Sequence, residues 1–78
     1  MLWALPNKLS YKFMSERLQK LIANAGYGSR RWAERLIEQG RISINNQEAK
    51  LGVKALVTDK VTIDGRLIDL QRYAEEET

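Results

Sequence analysis

The 78-residue chain contains no cysteine, no histidine and a single proline, Pro6. Without cysteine there is no disulfide staple, thiolate nucleophile or sulfur-ligated zinc site, and without histidine the usual general base is missing too. Any acid–base chemistry would fall to a bare Asp or Glu. Long apolar runs are also lacking. Leu2 to Leu5 is cut off by Pro6 before it reaches the length of a signal peptide or a membrane span. One small domain is the upper limit at this length, and its thin core does not also surround a deep catalytic cavity. The expected activity is therefore binding on an outer face. No catalytic residue, metal site, cofactor, membrane or small-molecule substrate is expected, and the chain is expected to be a cytoplasmic monomer.

What is present is a globular composition, 44% hydrophobic and 29% charged. Thirteen Lys and Arg against ten Asp and Glu leave a charge of +3. Between Ser15 and Lys50 seven cations face four glutamates, whereas the end of the chain carries Glu75, Glu76 and Glu77. The positive surplus thus belongs to the first half and suits a polyanion, although a solvated mixed-charge surface reads the same way.

Residues 1–13 are expected to form a loosely ordered leader, with Trp3 and Phe13 available to pack on the domain edge. Ser15 reads as an N-cap, with Glu16 at the positive helix end, and Leu18, Leu21, Ile22 and Ala25 recur at i, i+3, i+4 and i+7. Gly26 stops this helix. After Tyr27 and Gly28, Ser29 caps a second helix with the stripe Ala33, Leu36 and Ile37, which Gly40 ends. Arg41 to Ile44 alternates and leads into Asn45-Asn46, residues that tolerate the positive φ of a hairpin turn, followed by a short strand around Gln47 to Ala49. Leu51 to Val57 follows a less regular route. Lys60 to Ile63, Asp64-Gly65 and Arg66 to Leu70 form the cleanest hairpin signal. Residues 71–78 read as an acidic tail or linker. The fold class is α+β, a helix pair on a small, mostly antiparallel sheet.

On a helical wheel Arg17, Lys20 and Asn24 line one flank of the first apolar stripe. Arg31 and Arg35 lie one turn apart on the second helix, and Arg30 stands beside the cap. Guanidinium forks spaced by helix turns can follow a phosphate backbone. The alternative is ordinary surface pairing of Arg30 and Arg31 with Glu34 and Glu38. Trp32 either packs on its own domain or stacks on a base. Asp64 is explained by the turn and Asp69 as a strand-face carboxylate, so neither is taken as catalytic.

The run Ser15-Glu16-Arg17-Leu18-Gln19-Lys20 through Gly26-Tyr27-Gly28-Ser29-Arg30-Arg31, then Gly40-Arg41-Ile42-Ser43-Ile44-Asn45, resembles the S-four domain, a small RNA-binding module of ribosomal proteins and RNA-modifying enzymes. The likeness covers residues 14–70. It is nearest to the N-terminal domain of bacterial large-subunit rRNA pseudouridine synthases, through Ala49 to Gly52 and Ile63 to Ile68. The resemblance implies an αα hairpin packed on the sheet, ribosomal RNA as partner, and an isomerase domain outside this chain. It implies RNA contacts at Arg17, Lys20, Ser29, Arg30, Arg31, Arg35 and Arg41, and at Asn45 and Asn46. The turn reads Asn45-Asn46 where that family commonly has Asn-Gly or Asp-Gly, and Trp32 replaces a more usual polar residue. A stand-alone ribosome-associated protein, and a protein-interaction module using Trp32 and the leader, are the alternatives.

Overall fold

A computed structural model describes residues 15–72. The expectations for the leader, including Trp3 and Phe13, and for the acidic residues after Arg72 lie outside the described residues. The order is β1 (Glu16–Arg17), α1 (Leu18–Asn24), α2 (Arg30–Glu38), β2 (Ile42–Ile44), β3 (Gln47–Glu48), β4 (Lys54–Ala55), β5 (Val61–Ile63) and β6 (Arg66–Ile68). The expected α+β class holds, with the sheet divided in two: β1 pairs with β4, and a second sheet runs β3-β2-β5-β6, all antiparallel.

Both apolar stripes read from the sequence are buried. Leu18, Leu21 and Ile22 of α1 meet Ala33, Leu36 and Ile37 of α2, and the core continues through Ile42, Val61 and Ala55. The two helices end alike. Tyr27 N–H donates to Ile22 O and Gly26 N–H to Ala23 O, while Arg41 N–H donates to Leu36 O and Gly40 N–H to Ile37 O. Each is a Schellman closure, in which the residue just past the cap takes positive φ; Gly26 sits at 87° and Gly40 at 74°. Between the helices, Gly28 is required by a neighbour. A Cβ there would lie 2.7 Å from Cδ2 of Trp32, so only a glycine lets the indole close over the link.

The start of α1 corrects the expectation. Ser15 does not cap it: Arg17 is the extended N-cap residue, without a side-chain cap bond. Glu16 and Arg17 instead form a strand against β4, and Leu18 N–H donates to Val53 O at 3.0 Å. A backbone carbonyl from the segment read as irregular thus takes the role foreseen for the Ser15 hydroxyl.

In the larger sheet the pleat separates two faces. Ile42 opposite Ile63, and Ile44 opposite Val61, face the core, while Ser43 opposite Thr62 lies on the outer face with their hydroxyls 2.5 Å apart. Asn45 and Asn46, at φ 50° and 72°, complete the hairpin without glycine, and Asp64 at 53° with Gly65 at 83° completes the next. Asp69 lies beyond the end of β6 rather than on a strand face. Its N–H donates to the Tyr27 hydroxyl, its Oδ1 accepts from Gln71 N–H, and Arg72 covers the Tyr27 ring at 4.6 Å. The segment after β6 is thereby tied to the helix link.

Candidate nucleic-acid interface

The β1–β4 register places Arg17 directly opposite Lys54. Opposed residues of an antiparallel pair share a face, so two cations project side by side. Such a pair destabilises a sheet by about 0.2–1 kcal/mol unless an anion lies between the charges. Around it opens a concavity of about 340 Å³, lined by Ser15, Glu16, Arg17, Gln19, Lys20, Arg30, Glu34 and Lys54. Three segments distant in sequence meet there: the β1–α1 junction, the first turn of α2, and β4. Lys20 Nζ is 3.3 Å from Oε1 of Glu16 on β1, a partly exposed ion pair of small worth. Arg17, Arg30 and Lys54 have no carboxylate partner among the described residues.

Gln19 sits beneath these cations with 8% of its surface exposed. Its Nε2 donates to Glu34 Oε2 at 3.1 Å, joining α1 to α2. Its Oε1 is buried and has no partner among the described residues, a deficit of about 1–3 kcal/mol for a group of this kind. Glu34 is thus held by a neutral amide. The expected alternative of Arg30 and Arg31 paired with Glu34 and Glu38 is not formed among the described residues.

The remaining candidates divide by what already holds them. Arg31 and Arg35 are exposed one turn apart on α2 and free of ion pairs among the described residues. Ser29 accepts from Trp32 N–H at 3.0 Å through Oγ, so its hydroxyl serves as the cap that the sequence indicates. Arg41 forks onto Asp64, Nε to Oδ1 at 2.9 Å and Nη2 to Oδ2 at 2.7 Å, and its Nη1 donates to Gln39. That fork holds the Asp64 carboxyl below its ordinary range and raises the Arg41 guanidinium further, in both cases chiefly through the side-chain hydrogen bonds. Asn45 Oδ1 accepts from Lys60 N–H at 3.1 Å, which makes it a turn brace, and Asn46 is exposed at the hairpin tip. Asn24 is exposed at the end of α1 and does not line the concavity. Trp32 is half-buried against the core, which favours its packing reading.

Sequence reasoning did not select Lys54, Gln19 or Glu34. Lys54 enters through a two-residue strand with no alternation to reveal it, and Gln19 and Glu34 matter through a contact fifteen residues apart. No helix among the described residues is long and apolar enough to cross a membrane.

Two short helices closed by glycines, a hairpin sheet behind them and a cationic concavity where α1, α2 and β4 meet make up the described fold. Residues 16–61 match the family model of the S4, or S-four, domain, and the chain belongs to that family. The relatives it resembles are more particular. It is 51% identical over 65 residues to ribosomal large subunit pseudouridine synthase B of Shigella flexneri and to that of Escherichia coli strain K12. The Yersinia pestis protein of the same name is 44% identical over 64 residues. The match to the first two takes in 81% of this chain and 22% of the relative. The chain therefore spans about a fifth of the length of the curated relatives it matches.

Proposed function

We propose that this chain is an RNA-binding module that docks large-subunit ribosomal RNA. The observation that carries the reading is the β1–β4 register, which forces Arg17 and Lys54 together beside Arg30, none of the three in an ion pair among the described residues. A cationic surface held in place by backbone pairing suits a phosphate backbone. Arg31 and Arg35 extend the same chemistry along α2. Lys20 contributes once it leaves Glu16, and Ser29 fixes the helix start on which Arg30 sits. Arg41, Asn45 and Asn46 lie on the hairpin sheet and serve as a secondary contact, Arg41 keeping its fork to Asp64. Family membership and the names of the relatives support RNA of the large ribosomal subunit as the partner. The wide minor groove and phosphates of A-form RNA are reachable by such a surface, so recognition runs through shape and charge more than through base edges. The isomerisation named in the relatives belongs, in this reading, to the four-fifths of their length that this chain does not span.

An NMR titration of the ¹⁵N-labelled chain with a structured fragment of large-subunit rRNA tests the assignment. The expected result is amide shifts concentrated at residues 16–20, 30–35 and 54. Shifts centred instead on the outer sheet face around Thr62 and Leu67, with those segments unmoved, would overturn it.

A further inference from the structure

The concavity between β1, α1, α2 and β4 holds more acceptor chemistry than phosphate binding needs. Arg17, Arg30 and Lys54 supply donors and positive charge, yet Glu34 sets a carboxylate among them. A site built for phosphate alone gains nothing from that group. Nor does a guanidinium cancel it, since its partner is the neutral Gln19 amide. Because a carboxylate only accepts, the nitrogen of the Gln19 amide must face Glu34 and the oxygen must be the orphan. Gln19 is more than nine-tenths buried, and that oxygen has no donor among the described residues. Glu34 Oε1 likewise has no donor among them. The wall of the concavity therefore offers a carboxylate oxygen of Glu34 beside its cations, braced by the buried Gln19 amide. Its complement carries negative charge and donates a hydrogen bond within a short span.

A ribonucleotide has both properties. Its 2′-hydroxyl donates close to the backbone phosphates, and DNA has no equivalent group. Resting on the RNA-binding reading above, we propose that this concavity is a ribose-reading subsite: Arg17, Arg30 and Lys54 hold a phosphate, and Glu34 accepts a hydrogen bond from the adjoining 2′-hydroxyl. Gln19 is a positioning residue that clamps the Glu34 carboxylate from beneath. The module thereby distinguishes RNA from a polyanion of equal charge, and an acidic residue in a basic site acts as its selectivity element.

The test is fluorescence anisotropy of the 78-residue chain with an RNA hairpin and with its fully 2′-O-methylated counterpart, which keeps the charge and the A-form helix but removes the donor. The parent should bind the RNA about tenfold tighter, the worth of one hydrogen bond to a charged acceptor. Glu34→Ala should bring that ratio close to one. Glu34→Gln, which keeps the shape and a weaker acceptor, should give an intermediate ratio. Arg17→Ala should weaken binding to both hairpins in parallel. Equal binding of the two hairpins by the parent, or a ratio that survives Glu34→Ala, overturns the ribose subsite. Failure of Arg17→Ala to weaken either hairpin overturns the RNA-binding face itself, so the two failures are separable. A preference that follows base sequence rather than the sugar also overturns the proposal.

Discussion

Trp32 and Gly28 show how one side chain sets the requirement on another. The indole covers the link between the helices at a distance that leaves no room for a methyl group on Gly28, and Ser29 between them must still bond Trp32 N–H. Gly28→Ala forces the ring off its rotamer or shifts the cap, an overpacking strain of about 1–3 kcal/mol. Urea unfolding should show that loss, and Gly28→Ala combined with Trp32→Leu should recover part of it. An unchanged midpoint for the single variant would contradict the close approach. A bulky aromatic at this position is thus accommodated by its neighbour and given to packing. Arg41 and Asp64 form the other close side-chain unit, bracing the strand entry after α2 against the hairpin turn by both side chains and by Asp64 N–H on Arg41 O.

At the scale of elements, the helices and hairpins were legible because each carries a local signal. The stripes Leu18-Leu21-Ile22 and Ala33-Leu36-Ile37, the glycines at both helix ends and the Asn45-Asn46 and Asp64-Gly65 turns all stand where the sequence indicates. What was not legible is the two-strand sheet. A strand of two residues has no period to display, and β1 and β4 exist only because Glu16–Arg17 meets Lys54–Ala55. The same non-local meeting moved the start of α1 past Ser15 and brought Lys54 to the candidate site. Of the residues read as contacts, Arg17, Lys20 and Arg30 converge and Ser29 is the cap the sequence indicates, whereas the roles of Arg41 and Asn45 within the fold follow from partners that only the structure supplies. The register also makes a prediction in which stability and binding oppose one another. Lys54→Glu replaces a like-charge cross-strand pair by an opposite one, and should raise stability by up to about 1 kcal/mol while weakening RNA binding. Thermal unfolding and anisotropy on the same sample check both halves. A variant that loses stability, or that binds RNA as tightly as the parent, contradicts the account of β1 and β4.

For the whole molecule, the decisive property is where charge is left unpaired. The surplus of +3 is modest, but Arg17, Arg30, Arg31, Arg35 and Lys54 are each without an ion-pair partner among the described residues. Three carboxylates are engaged by other cations, Asp64 by Arg41, Glu16 by Lys20 and Glu48 by Lys50, and Glu34 is held by the Gln19 amide. If these cations meet RNA phosphates as proposed, binding releases counterions and its affinity falls with salt. The most direct test is the slope of log affinity against log salt for a structured large-subunit rRNA fragment, measured for the parent and for Arg30→Ala and Arg31→Ala. Each substitution should weaken binding and lower the slope by about 0.7–1, one phosphate contact apiece. Slopes and affinities identical to the parent would mean that the basic face does not meet the RNA.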